Sequence, residues 1–239
     1  MTWSIVAREP ETGRLGVGVS TCYFAVGAIS PFVESGVAAL SIQSLLNPFY
    51  AIDGLRLLRD RVSPAEVVAR LTALDAGAHM RQWHIIDIAG RIAQHTGTGC
   101  IEWSGHVSGA DCSVAGNMLA GPLVVQATAD RFAATRGLPM AERLLQALAA
   151  GEAAGGDKRG RQSAAIKVFG AEPYAELDIR VDDHADPLAE LRRLHAVSLE
   201  RFQPFVACLA RRGSPAGELD RAKIEAHIER FHAARRGLT

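Results

Sequence analysis

The chain has 239 residues, 26 basic and 26 acidic side chains and 48% hydrophobic residues, which predicts a soluble globular protein with one main domain. The balanced charge, with no basic block beside interleaved aromatic residues, argues against a nucleic-acid partner. The longest apolar stretches are shorter than the roughly 18 to 20 residues of a membrane-spanning helix, so we expect no membrane partner.

The N-terminus, Met-Thr-Trp-Ser-Ile-Val-Ala, has no basic leader, no apolar segment of signal type and no cleavage site. We therefore expect a cytoplasmic protein. No two of the four cysteines form a Cys-x-x-Cys pair, which argues against a disulfide framework and a zinc ribbon. The sequence thus predicts free thiols, no metal and no cofactor.

Apolar runs and turn signals predict the elements of the first half of the chain. Residues 3–7 and 15–21 are predicted strands, and the polar link between them, with one Pro and one Gly, favours a hairpin. A third strand is expected at 36–42. Two helix starts, each with a capping side chain and a proline at the first helical position, predict helices over 48–61 and 64–75.

A second β-rich block follows, with a tight turn at Ala89-Gly90. Its predicted strands cover 83–88, 91–97, 101–106 and 111–115. Apolar residues at three- and four-residue spacing then predict two amphipathic helices packed on a sheet, over 121–135 and 139–150. A glycine-rich link leads to the last predicted strands, 163–169 and 177–181. This order suits an α+β fold of two antiparallel sheets covered by helices on the outside.

From Asp186 onward the composition changes to Ala, Leu, Arg and Glu with helical periodicity. We expect an α+β domain over residues 1–185 and a helical C-terminal extension over 186–239. The extension carries a long apolar face that includes Leu188, Leu191, Phe202 and Phe205. Such a face predicts an interface, most simply that of a homodimer. The alternative is that these helices fold back on their own subunit.

Thr2 is the most suggestive candidate for chemistry, because it becomes the first residue once Met1 is removed. A threonine hydroxyl is a weak nucleophile by itself, but an N-terminal α-amine lies within reach of it. With an ordinary pKa of ~7.7 to 8.0, that amine is substantially neutral near pH 7 and can act as the general base. A plain Met-Thr start without catalytic meaning is the alternative.

Two further segments carry groups that could bind or stabilise a substrate. The glycine-rich loop holds Gly156, Asp157, Arg159, Arg161 and Gln162, and its arginines could clamp a substrate carboxylate. An ordinary solvated loop is the alternative. At the end of the second β-rich block, Gly116 and Asn117 could stabilise an oxyanion or could form a turn for conformational reasons alone.

These residues carry a family resemblance. Six separated motifs resemble those of the family named domain of unknown function 1028. They are Thr2-Trp3-Ser4-Ile5-Val6-Ala7-Arg8, Glu11-Thr12-Gly13, Phe24-Ala25-Val26-Gly27, Gly116-Asn117, Gly156-Asp157-Lys158-Arg159-Gly160-Arg161-Gln162-Ser163-Ala164-Ala165 and Arg180-Val181-Asp182-Asp183-His184. The resemblance runs from residue 2 to about residue 195. The family is grouped with the N-terminal nucleophile (Ntn) hydrolases, which implies a four-layer αββα sandwich and hydrolysis of an amide bond.

By resemblance to proteasome-like Ntn hydrolases, the first strand carries the nucleophile, here Thr2. Those enzymes also use an aspartate at the end of the second strand and a lysine after the third. This sequence has Thr21-Cys22 at the first of these places and no lysine before Lys158. Either Arg159 or Arg161 replaces the lysine, or the site has a different design.

We therefore expect a hydrolase that cleaves a C–N amide-type bond in a small molecule, which three nearby cations suggest carries a carboxylate. Thr2, Asn117, Asp157 and Arg159 are the expected catalytic residues. The expected substrate-binding residues are Gly116, Gly156, Arg161 and Gln162. Two alternatives remain: a non-catalytic ligand-binding protein on the same fold, and an oligomeric scaffold whose C-terminal helices bind a partner.

Overall fold

Two antiparallel sheets organise residues 2–191 of the computed structural model, which describes residues 2–236. The larger sheet has the spatial order β10-β9-β2-β1-β8-β7. Its strands are β1 (Thr2–Glu9), β2 (Arg14–Thr21), β7 (Gly105–Gly109), β8 (Cys112–Asn117), β9 (Ser163–Phe169) and β10 (Ala175–Val181). The smaller sheet has the order β3-β4-β5-β6, with β3 (Pro31–Glu34), β4 (Ala38–Ser44), β5 (Arg81–Asp87) and β6 (Ile92–Thr96).

Two helix pairs cover the outer faces of these sheets. The helices α1 (Phe49–Arg59) and α2 (Pro64–Leu74) pack on the smaller sheet, whereas α3 (Leu123–Ala134) and α4 (Met140–Ala153) pack on the larger one. The inner faces of the sheets contact each other through β1, β2, β4 and β5. The α+β fold predicted from the order of elements, a four-layer αββα sandwich, is thereby confirmed.

Local sequence explains why these elements form where they do. Ser63 caps α2, because its hydroxyl accepts a hydrogen bond from the Glu66 N–H at 3.3 Å, and Pro64 takes the first helical position. In β1 the side chains alternate: Trp3 and Ile5 lie on the opposite face from Ser4 and Val6. All four are fully buried, as expected for a strand inside a layered sandwich.

The space between the sheets has an apolar end and a polar end. Val6, Leu15, Val17, Ala39 and Ile86 form an apolar cluster at one end. Toward the other end the buried side chains include six polar ones, Thr2, Ser4, Gln43, Gln82, His84 and Ser113. The candidate site is built at this polar end.

The strand β3 is not among the predicted strands, because it is short and begins at Pro31, a residue that cannot donate a ladder hydrogen bond. Its pairing with β4 through Phe32 and Val33 makes it an edge strand. The strand expected at 101–106 lies later in the chain, as β7. The helix α4 continues into the segment predicted as a glycine-rich link and ends at Ala153.

The described chain divides after Leu191 into a second unit, which starts at Arg192. The helix α5 (Pro187–Glu200) runs through this boundary, and α6 (Phe202–Val206) and α7 (Arg221–Arg236) follow it. Within the second unit, the Arg201 guanidinium forms a bidentate ion pair with Glu225 at the start of α7. No helix within residues 2–236 has both the length and the apolar character that crossing a membrane requires.

Candidate active site

Thr2 lies in a central strand of the larger sheet, at the end of the sheet where β1 begins and where β2 and β8 finish. Its register partner in β8 is Asn117, and its Oγ1 donates a hydrogen bond to Oγ1 of Thr21, the last residue of β2, at 3.2 Å. Thr2 is 8% exposed, so its hydroxyl is largely shielded from water. The sheet thus brings together Thr2 and Asn117, which the sequence analysis proposed as separate candidates.

A cavity of about 230 Å³ opens beside Thr2. Its other walls are mostly aliphatic and include Val26, Ile29, Ile42 and Leu46. Tyr23 and Leu45 also line it and are 57% and 55% exposed, so they stand at its mouth. The nucleophile proposed from the sequence is therefore a residue of a cavity wall.

Left-handed backbone conformations at residues other than glycine occur beside this cavity and beside Asn117, and also at Arg61 and Asp111, which do not line it. Ala25, Ser44 and Met118 adopt left-handed backbone conformations, with φ of 52°, 67° and 56°. Ser44 lines the cavity, Ala25 precedes the lining residue Val26, and Met118 directly follows Asn117. Such conformations are costly for residues other than glycine and cluster at functional sites, which supports a functional role for this region.

A buried hydrogen-bond network between the sheets begins at Gln82. Its Nε2 donates to the backbone carbonyls of Gly116 and Gly105, at 2.8 and 3.2 Å, and carbonyls can only accept. The Gln82 Oε1 must therefore face the other way, where it accepts from Asn117 Nδ2 at 3.0 Å and from Gln43 Nε2 at 2.7 Å. Gln82 thus fixes the orientation of the Asn117 amide.

The same constraint passes along the network to His84. Because Gln43 turns its Nε2 toward Gln82, its Oε1 accepts the Ser4 hydroxyl proton, at 2.8 Å. His84 Nε2 must then donate to Ser4 Oγ, and His84 Nδ1 accepts from Ser113 Oγ, each at 2.8 Å. Complete burial lowers the pKa of His84 to about 3, so the imidazole is neutral, and with the proton on Nε2 its Nδ1 is the acceptor.

Asp157 anchors the glycine-rich loop to the end of β2. Its carboxylate is fully shielded from solvent, accepts the Cys22 N–H at 2.8 Å and the Arg159 N–H at 2.9 Å, and forms a salt bridge with the Arg159 guanidinium at 3.2 Å. Cys22 directly follows Thr21, which accepts the Thr2 hydroxyl. Asp157 is therefore connected to Thr2 through this short segment.

The remaining polar residues of this loop are held by other residues of the chain. Arg161 forms salt bridges with Glu152 and Asp186, at 3.2 and 3.1 Å. Gln162 donates a side-chain hydrogen bond to Asp183 at 3.1 Å. None of Arg159, Arg161 and Gln162 is among the described residues that line the cavity, so their predicted role in substrate binding stays a prediction.

The two glycines proposed as substrate contacts have conformational and packing reasons to be glycine. At Gly116, a Cβ atom would lie 2.3 Å from Leu119 Cδ1, so the strand leaves no room for a side chain. Gly156 has a φ of +50°, in the left-handed region that favours glycine. These observations explain both residue types without reference to a ligand.

Within residues 2–236, no group of three or more His, Cys, Asp or Glu side chains is arranged to hold a metal ion. The four cysteines are free thiols. Cys112 is buried, and desolvation raises the pKa of its thiol to about 11, which disfavours the nucleophilic thiolate.

The comparison with known proteins assigns the family. Residues 2–191 match the sequence model of a family of unknown function, DUF1028. The chain belongs to this family. Among solved structures, the DUF1028 protein SPO2555 from Silicibacter pomeroyi is 29% identical to it with a TM-score of 0.84, over 92% of this chain and 96% of that chain.

This DUF1028 chain also resembles the solved structure of Anbu (ancestral beta-subunit) from Yersinia bercovieri. The identity is 12% and the TM-score 0.41, over 82% of this chain and 94% of that chain. That similarity is too low to bear on fold or function. No curated protein is significantly similar in sequence to the chain.

The network residues Gln43, Gln82 and His84 are absent from the sequence-based list of site residues. Their signal in the sequence is an alternation of polar and apolar residues within β4 and β5, where Ser41, Gln43, Gln82 and His84 interrupt otherwise apolar strands. In sequence, a strand with one polar and one apolar face is typical of a sheet that exposes its polar face to water. Here a second sheet covers that polar face, and only the fold shows this.

Proposed function

We propose that this DUF1028 protein is an amidohydrolase that cleaves a C–N amide-type bond in a small molecule, with Thr2 as its nucleophile. The observation that carries the proposal is that Thr2 lines the cavity, with its Oγ1 held 3.2 Å from Oγ1 of Thr21. The grouping of the family with the Ntn hydrolases, which the sequence resemblance implies, supports the same assignment.

The reaction needs a free α-amino group on Thr2. Met1 lies outside the described residues, and the proposal requires its removal. An α-amine of ordinary pKa, ~7.7 to 8.0, is substantially neutral near neutral pH and can take the proton of its own residue's hydroxyl. One residue then supplies both the nucleophile and the general base.

In the first half-reaction the Thr2 amine takes the Oγ1 proton while the oxygen attacks the amide carbon. The C–N bond breaks, and the ammonium gives its proton to the leaving nitrogen, so an amine departs and the acyl group stays as an ester on Thr2. In the second half-reaction water gives a proton to the amine and its oxygen attacks the ester carbon. The ester C–O bond breaks, Thr2 regains its proton, and the carboxylic acid leaves.

In this proposal Asn117 stabilises the oxyanion that forms when the carbonyl carbon is attacked. Gln82 accepts one hydrogen bond from the Asn117 amide and so limits its rotation. The pair of Asp157 and Arg159 holds the end of β2, next to the threonine that accepts the Thr2 hydroxyl. The proposed contribution of this pair is to position the nucleophile.

In this proposal the substrate carboxylate predicted from the sequence belongs to the leaving amine and lies outside the cavity. The described residues that line the cavity carry no charged side chain, whereas the cations of the glycine-rich loop lie outside it. Gly116, Gly156, Arg161 and Gln162 keep their proposed role only with respect to that part of the substrate.

The test combines the mass of the protein with its activity. Protein purified from its own host should lack the mass of one methionine and should hydrolyse at least one member of a panel of small amides. Thr2→Ala should abolish this turnover, and Thr12→Ala, at an exposed turn, should leave it unchanged. Normal turnover by the Thr2→Ala variant would overturn the proposal.

A further inference from the structure

The cavity beside Thr2 also indicates which part of a substrate it can accept. We propose that it selects a small, uncharged, apolar acyl group, so that the enzyme hydrolyses amides of short aliphatic acids in preference to amides of dicarboxylic acids. This inference rests on the proposed function, because it assigns the specificity of the same site.

The first argument is the chemistry of the walls. Val26, Ile29, Ile42 and Leu46 provide aliphatic surface, and Tyr23 and Leu45 extend that surface to the mouth. Among the described residues, those that line the cavity include no Asp, Glu, Lys, Arg or His. An apolar group that enters it exchanges water for aliphatic contacts, which is favourable.

The second argument is that the buried polar side chains of Gln43 and Ser30 in the walls already have partners, whereas Ser44 and Tyr23, which are less buried, add only neutral hydroxyls. The Gln43 amide accepts from Ser4 and donates to Gln82, and the Ser30 hydroxyl shares a hydrogen bond of 2.9 Å with Ser41. A charged end of a substrate would have to break these buried bonds or rely on the neutral hydroxyls of Ser44 and Tyr23, since no lining residue that the structure describes carries an opposite charge. Burying an unpaired charge costs much more than burying a neutral group, so the cavity discriminates against it.

The third argument is size. At about 30 Å³ for a water-sized group, a volume of about 230 Å³ holds roughly seven such groups. This is below the range of about 300 to 1,000 Å³ of pockets for drug-sized ligands. A hexanoyl group, with six carbons and one oxygen, matches this size, whereas long fatty acyl chains exceed it.

The experiment compares two substrates of equal length on the full chain with a free Thr2 amine. Hexanoylglycine and adipoylglycine share the scissile amide and the leaving group, and they differ only in a terminal carboxylate on the acyl chain. Release of glycine is followed with an amine-reactive dye. We expect kcat/KM to favour hexanoylglycine by about 100-fold or more, because an unpaired carboxylate is strongly disfavoured in an apolar cavity.

A charge placed at the mouth tests whether this cavity sets the preference. Leu45→Lys should reduce the ratio of kcat/KM for hexanoylglycine to kcat/KM for adipoylglycine by about fivefold. The reason is that an ammonium there can pair with the adipoyl carboxylate through solvent. Leu74→Lys is the matched control on an exposed position of α2 that does not line the cavity, and its ratio should equal that of the wild type. Equal turnover of the two substrates, or a ratio unaffected by Leu45→Lys, would overturn the inference and leave the amidohydrolase assignment intact.

A binding measurement separates this inference from the proposed function. If no amide of the panel, these two included, is hydrolysed, the proposed function fails. Titration of the Thr2→Ala protein with hexanamide and with adipamate then decides the specificity by calorimetry. Binding of hexanamide without binding of adipamate supports the apolar cavity site. Equal binding of both, or of neither, contradicts it.

Discussion

The Thr2 hydroxyl is buried and hydrogen-bonded, so replacing it changes stability as well as activity. Thr2→Ala removes a hydrogen bond worth about 1 kcal/mol and should lower the melting temperature by about 2–4 °C. Thr2→Ser keeps the hydroxyl and the α-amine, so it should retain part of the turnover that Thr2→Ala loses. Calorimetric melting beside the amide assay checks both, and equal activity of the two variants would argue against Thr2 as the nucleophile.

The burial of His84 predicts how the stability of the protein depends on pH. Its pKa is about 6.5 when the chain is unfolded and about 3 when it is buried between the sheets. Below pH 6.5 the unfolded chain therefore binds a proton that the folded chain does not, and stability falls as the pH drops toward 3. Between these two pKa values, His84 should lower the free energy of unfolding by about 1.4 kcal/mol for each pH unit.

The measurement is urea unfolding of the wild type and of His84→Gln at several pH values between 7 and 4. His84→Gln is less stable at neutral pH because it disturbs the network to Ser4 and Ser113, but it lacks the titrating imidazole. The difference in unfolding free energy between the two proteins should therefore shrink as the pH falls. Parallel curves would mean that His84 is protonated in the folded protein at these pH values.

At the scale of elements, Asp157 ties the glycine-rich loop to β2. Asp157→Ala removes the acceptor of the Cys22 and Arg159 N–H groups and should destabilise the protein by about 1–3 kcal/mol. Exchange of the Cys22 amide hydrogen should also become faster. The control is Asp183→Ala, which removes an exposed carboxylate that accepts a hydrogen bond from the Gln162 side chain, and it should change the stability by no more than about 0.5 kcal/mol. An Asp157→Ala protein as stable as this control would show that the loop is held by other contacts.

Some helices and strands could be predicted from the sequence, and others could not. The apolar run of β1 and the Ser63 cap with Pro64 are local signals, and the structure confirms the elements that they predict. The edge strand β3 escapes such reasoning because Pro31 is a poor strand residue and the pairing partner lies further along the chain. Local patterns locate elements when the side chains of one segment decide the outcome.

The candidate site depends on contacts that no local pattern contains. Thr2 could be singled out because its chemistry lies within one residue, and Asn117 because it ends a strand. The cavity instead combines Thr2 with Tyr23, Ile29 and Leu45 from other segments, and its apolar character follows from the packing of the sheets. The arginines show the opposite case, since their charges suggested a substrate site and the fold pairs them with Asp157, Glu152 and Asp186.

At the scale of the whole molecule, the predicted homodimer rests on the C-terminal helices. Phe202 and Phe205 lie three residues apart on one face of α6 and are both exposed, as is Val197 on α5. Exposed aromatic side chains at helical spacing are typical of an interface rather than of a solvated helix face. Closed two-fold dimers are the most common assemblies of soluble chains, so we expect two copies to associate through this face.

The double variant Phe202→Asp and Phe205→Asp tests this interface in the full chain. Both side chains are exposed in one copy, so the substitutions should leave the fold of that copy intact while like charges meet across a two-fold interface. Sedimentation should then show a dimer for the wild type and a monomer for the double variant, with similar circular dichroism. The matched control, Leu74→Asp with Ile101→Asp, also adds two charges at exposed apolar positions and should remain a dimer. A wild-type monomer, or a double variant that sediments as a dimer, would exclude this face as the contact between copies.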